Sequence, residues 1–95
     1  MMDAEAVLVE AALRGDPQLR RVFHGKKGDC ALGILHKAIP GHASQDKCSD
    51  LFRVLKDAYG MDANCCRRVI MANDYAGWDF LTIARKMFGG ERGIL

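Results

Sequence analysis

The stretch over residues 30–39, Cys-Ala-Leu-Gly-Ile-Leu-His-Lys-Ala-Ile, carries only His36 and Lys37 as polar side chains. A helix that is apolar almost all the way round has no face to give to water. The rest of the chain must therefore wrap around it. Asp29 is placed to cap its start, and Pro40-Gly41 to end it. Gly33 falls mid-helix, where glycine costs about 1 kcal/mol relative to alanine. A cost of that size predicts a neighbouring backbone crossing close by.

The flanking segments each read as a helix with one apolar stripe. Ala4, Val7, Leu8, Ala11 and Ala12 recur at helical spacing, with Asp3 as cap and Gly15 as the left-handed stop. Asp16-Pro17 then restarts the chain, a cap followed by proline at the first helical position. That pair predicts a short helix over 18–23 with Leu19, Val22 and Phe23 inward. His24-Gly25-Lys26-Lys27-Gly28 reads as an exposed turn, because it lacks both the P-loop spacing and the Ser or Thr that follows the P-loop lysine. After a polar linker over 42–47, Ser44 or Ser49 caps a helix bearing Leu51, Val54, Leu55 and Ala58. Phe52 and Tyr59 fall at the edges of that stripe, and Gly60 stops it.

Asp62 caps a shorter helix to about Ala72, with Cys65, Cys66, Val69, Ile70 and Met71 on its apolar side. The β-branched pair leaves a strand over 68–71 as the alternative. Asn73-Asp74-Tyr75-Ala76-Gly77 has the chemistry of a turn. Asp79 caps the last helix, whose stripe is Phe80, Ile83, Ala84 and Met87. Trp78, just ahead of that cap, is placed to pack back on Ile83. The pattern is that of an all-α domain over 1–90, a compact bundle of about five helices, two of them short. Residues 91–95 form a loose tail. At 95 residues the chain has room for one modest core.

Several function classes are disfavoured by composition. No apolar run approaches the ~20 residues of a membrane-spanning helix. Asp3, Glu5 and Glu10 argue against a secretory leader and for a reducing, cytoplasmic setting. The four cysteines show no C-x-x-C and no zinc-finger spacing, so they read as small buried hydrophobes, with no metal and no cofactor expected. Cys30 at a helix start and His36 suggest a nucleophile and a base. Six residues turn a helix by about 600°, which sets the two well off one face. No catalytic residue set emerges.

Charge is unevenly placed, although the formal total is only +2. Arg20, Arg21, Lys26 and Lys27 form one basic group, and Arg67 and Arg68 begin another. These residues are the candidate nucleic-acid surface, and Arg67 and Arg68 would sit on the second helix of a helix-turn-helix around Gly60. An antiparallel helix pair with a glycine turn explains the same pattern without DNA. Tyr75 and Trp78 bracket the Asn-Asp segment and are the candidate partner surface, since such residues dominate interface hot spots. Exposure is expected for Tyr75 and burial for Trp78.

Two motifs occur in order: Gly28-Asp29-Cys30-Ala31-Leu32-Gly33-Ile34-Leu35, then Asn73-Asp74, Gly77, Phe80 and Ile83-Ala84. Together they resemble a loose group of small uncharacterised bacterial and phage proteins that pair a Cys-Ala-x-Gly-x-Leu helix with a later Asn-Asp loop and a closing helix. The sequence departs from that group at Asp79, where Ser or Thr is common; Asp caps equally well. The resemblance implies the fold and a role for Asp29, Cys30, Gly33, Asn73, Asp74, Gly77 and Asp79, with Asn73 or Asp74 capping the Cys30 helix. It implies no activity. The chain thus reads as a non-enzymatic interaction or regulatory module that binds a protein partner or itself, as in a homodimer. Nucleic-acid binding is the alternative, and a small Cys/His metal protein or enzyme the third reading.

Overall fold

In the computed structural model, residues 2–19, 28–40 and 51–89 are described. Within them the helices are α1 (Ala4–Arg14), α2 (Ala31–Lys37), α3 (Leu51–Tyr59), α4 (Ala63–Asp74) and α5 (Phe80–Ile83), the last continuing as a π-helical turn over Ala84–Phe88. Every residue of α2 from Ala31 to His36 is buried. It packs on α1, α3 and α4, while α1 also packs on α5 and its π-helical turn. One core cluster joins Leu8 of α1, Leu32 and Leu35 of α2, Leu55 of α3, Val69 of α4 and Ile83 of α5. The all-α class and the central apolar helix are as the pattern indicates.

Local capping follows the sequence closely. Asp3 accepts from Ala6 N–H at 3.2 Å, Asp62 from Cys65 N–H at 2.8 Å and Asp79 from Thr82 N–H at 2.8 Å. Each carboxylate meets free donors at the positive end of its helix. At the end of α1, Gly15 N–H donates to Ala12 and Asp16 N–H to Ala11, the paired bonds of a Schellman closure.

The ends of α2 are closed from elsewhere. Asp29 does not cap it, contrary to the sequence reading. The first helical N–H, that of Ala31, donates instead to Asn73 Oδ1 of α4 at 3.1 Å, the link between the two motifs that their resemblance implies. Asp29 is buried, and its carboxylate pairs with Lys37 at 3.3 Å. At the other end, the Tyr59 hydroxyl of α3 donates to the Leu35 carbonyl at 2.6 Å. Ala38 N–H and Ile39 N–H donate to the Ile34 and His36 carbonyls. Helix-end groups that water would otherwise satisfy are thus met by side chains of two neighbouring helices. Tyr59 is consequently buried rather than at an edge.

The helix expected over 18–23 does not start at Gln18. Gln18 and Asp29 form a parallel bridge, with Leu19 N–H donating to the Asp29 carbonyl at 2.9 Å and Asp29 N–H to the Pro17 carbonyl at 3.3 Å. Asp16, the supposed cap, is held by the Arg14 guanidinium at 2.8 Å. Residues 20–23, the His-Gly-Lys-Lys turn, the Ser44 and Ser49 caps and the 91–95 tail lie outside the described residues.

Two further expectations are corrected. The segment after Asp62 is the expected helix but longer, 12 residues reaching Asp74 rather than Ala72, and the alternative strand over 68–71 does not form. That helix runs through Asn73 and Asp74, which belong to its last turn. The chain reverses only afterwards, at Gly77 with φ +74°, a left-handed conformation that suits glycine.

Candidate functional site

Asn73 links several parts of the chain through its side chain. It is 1% exposed. Its Oδ1 accepts from Ala31 N–H and from Gln18 Nε2 at 2.6 Å. Its Nδ2 donates to the Leu19 carbonyl at 2.9 Å and to Asp74 Oδ1 at 2.7 Å. Both donors and both acceptor positions of the amide are filled. Gln18 Nε2 also donates to the Trp78 carbonyl at 2.8 Å. Among the described residues no buried side-chain N or O lacks a hydrogen-bond partner. This constellation ties α2, α4 and the 17–19 segment together, and it leaves no atom of Asn73 to offer a ligand.

The Cys30 and Cys66 thiols are buried in the core. Burial pushes the Cys30 thiol up to about 11, the Gly33 and Leu32 backbone N–H groups pulling the other way. That reverses the activated nucleophile suggested by its position at a helix start. Burial likewise pushes Cys66 up to about 11. His36 is buried within α2, as is Gly33. Among the described residues, no three His, Cys, Asp or Glu side chains gather in a way that could hold a metal.

A surface site forms on the other face of α4. This helix buries Cys66, Val69, Ala72 and Asn73. Asn64, Arg68, Met71 and Tyr75 then follow one another at spacings of four, three and four along the opposite stripe, and all are exposed. The facing wall comes from the α5 region. Asp79 starts α5, and Phe80 and Ile83 anchor it in the core. The π turn takes in an extra residue and shifts the helical register. In it Met87 is half-buried. Lys86 sits with its ammonium 5.5 Å from the centre of the Trp78 ring, a cation–π contact.

Between these walls lies an open groove of about 920 Å³. Arg67, Arg68, Met71 and Tyr75 line one side, Trp78, Lys86 and Met87 the other, with Cys65 and Ala72 between. Met71 is 57% and Tyr75 62% exposed, unusual for large side chains with apolar bodies. Arg67 donates to Asn64 Oδ1 at 3.3 Å on the helix surface. Among the described residues lining the groove there is no carboxylate.

The structure thereby brings together residues the sequence had assigned to separate surfaces: Arg67 and Arg68 with Tyr75 and Trp78. Trp78 is half-buried at the groove wall. Asp29, Cys30, Gly33, Asn73, Asp74 and Asp79 serve the scaffold, and Arg20, Arg21, Lys26 and Lys27 lie outside the described residues. Met71 and Met87 are groove residues that sequence reasoning missed, having placed both methionines on buried stripes, whereas Lys86 belongs to the second basic group with Arg67 and Arg68. A signal was present for Met71. Val69, Ile70 and Met71 are consecutive, and a helix cannot turn three successive residues to one face. Comparison with known protein families, curated proteins and solved structures found no match for this chain. No helix among the described residues is long and apolar enough to cross a membrane.

Proposed function

We propose that this protein is a non-enzymatic interaction module whose docking surface is the groove between α4 and the α5 region. The observation that carries it is the exposure of Met71 and Tyr75 beside Trp78 in one concave surface. Aromatic residues and methionine are enriched where interfaces form, and methionine adapts its shape to the side chain it meets. The free thiols of Cys30, Cys65 and Cys66 fit a reducing compartment such as the cytoplasm. Nucleic-acid binding is the second reading, favoured by Arg67, Arg68 and Lys86 on the same groove. Its affinity would fall steeply with salt.

The test is a photo-crosslinking residue placed at Tyr75 and, as a control, at exposed Lys56 of α3, in cells expressing the chain. A discrete, nuclease-resistant protein adduct at position 75, competed by the unlabelled wild-type chain and missing at 56, supports the docking groove. A nuclease-sensitive adduct transfers the groove to nucleic acid. Equal labelling at both positions removes the groove from the account.

A further inference from the structure

We infer that the occupant of this groove is an acidic amphipathic helix of a partner protein. The inference rests on the reading of the groove as a protein-docking site and adds the chemistry of what docks. Shape comes first. The stripe Asn64, Arg68, Met71 and Tyr75 has the alternating four-and-three spacing along which a second helix packs ridge into groove. The Trp78–Met87 wall closes the other side, giving the helix-in-groove form of peptide recognition. The apolar bodies of Met71, Tyr75 and Met87 would cover the partner's large apolar side chains.

Charge then selects the partner. Arg67 and Arg68 rise on one wall and Lys86 on the other, with no carboxylate among the described lining residues. A helix lying between them meets cations on both flanks. Asp and Glu beside its apolar stripe would form charge-assisted hydrogen bonds there, whereas Lys or Arg would be repelled. Lys86 is held over the Trp78 ring, so one of these cations is already positioned at the rim. A nucleic-acid strand fits less well. The Trp78 face that a base would stack on carries Lys86. The methionines, moreover, offer nothing to phosphates.

The experiment uses the full chain and a display library of random peptides about 15 residues long, roughly four helical turns. Enriched peptides are synthesised and their affinities measured by fluorescence anisotropy. The proteins are wild type, Arg67→Glu/Arg68→Glu and Met71→Ala/Tyr75→Ala, each checked by circular dichroism for an unchanged fold. All four positions are exposed, so the scaffold should tolerate these changes. The expected result is enrichment of Asp and Glu flanking Leu, Phe or Trp at helical spacing. Binding should weaken by at least about tenfold in both variants, the peptide should gain helicity, and Cys65 should be protected from alkylation. Enriched peptides lost in Met71→Ala/Tyr75→Ala but indifferent to the charge reversal would overturn the acidic partner and leave the docking groove standing. No groove-dependent peptide at all would overturn both. Groove-dependent, salt-sensitive binding of a labelled oligothymidylate in place of peptides would assign the site to nucleic acid and overturn the inference.

Discussion

Replacing Asn73 by alanine tests whether one amide holds three parts of the chain together. The hydrogen bonds from Ala31 N–H, from Gln18, to the Leu19 carbonyl and to Asp74 are lost. They are not equal. The Ala31 N–H is buried at the start of the central helix, and leaving such a donor without a partner costs about 1–3 kcal/mol. Gln18 keeps its bond to the Trp78 carbonyl. The Leu19 carbonyl and the Asp74 carboxylate are only partly buried and can turn to water, so their loss and that of Gln18 add together about 1–2 kcal/mol. The gain in helix propensity from Asn to Ala returns roughly 0.5 kcal/mol. The net is about 3 kcal/mol, a fall in Tm on the order of 10–20 °C for a domain of this size. Urea unfolding followed by circular dichroism measures it. Asp74→Ala is the matched control: it leaves the Asn73 amide and its bond to Ala31 N–H in place while removing the carboxylate that Asn73 Nδ2 donates to, and should cost about 1 kcal/mol or less. If Asn73→Ala lies within about 0.5 kcal/mol of wild type, the cap across α2 and α4 is not holding the fold. If Asp74→Ala costs as much as Asn73→Ala, the stabilising contact belongs to the carboxylate instead.

Other outcomes follow from the same geometry. Burial raises Tyr59 to about 12 and the Cys30 and Cys66 thiols to about 11, from ordinary values of 10.0 and 9.0. Because folding favours the protonated forms, their stabilisation is complete below pH about 9 and is lost as pH rises towards 11–12. Urea midpoints measured from pH 7 upward should be flat and then drop, and a midpoint that rises above pH 9 would contradict this. Tyr59→Phe removes the bond to the Leu35 carbonyl and should cost about 1 kcal/mol at neutral pH while softening the alkaline drop. With a thiol reagent at pH 8, mass-mapped labelling should reach half-exposed Cys65 quickly and Cys30 and Cys66 only on unfolding; rapid native labelling of Cys30 would refute its placement. Gly28→Ala would drive a methyl group into the Pro17 carbonyl oxygen, straining the bridge of Gln18 and Asp29. A loss of about 1–3 kcal/mol is expected in thermal melts, and an unchanged melt would mean the two backbones are not so close.

What the sequence determines by itself is local. The caps Asp3, Asp62 and Asp79 each bond an N–H three residues ahead, so residue type and spacing suffice to place them. The Gly15 stop follows for the same reason, and the stripe-free run over 30–39 dictates a buried helix because no face of it suits water. Tertiary structure decides whatever depends on distant partners. Asp29, Asn73 and Asp74 all have the chemistry to cap α2, and only the packing of α4 on α2 gives the Ala31 N–H to Asn73, 42 residues away. Leu19 would continue a helix by its local pattern, but Asp29 takes its N–H and Asn73 its carbonyl. Tyr59 looks like an edge residue until Leu35, 24 positions earlier, supplies a carbonyl for its hydroxyl. The groove belongs to this second class. Met71 reads as part of a buried stripe and Tyr75 as an exposed turn residue, and only the packing of α5 opposite α4, with Lys86 drawn over Trp78, makes them one wall of a cationic, apolar surface. Periodicity encodes which face of a helix avoids water, whereas the neighbour that face meets, and the face left over, are set by how the helices pack.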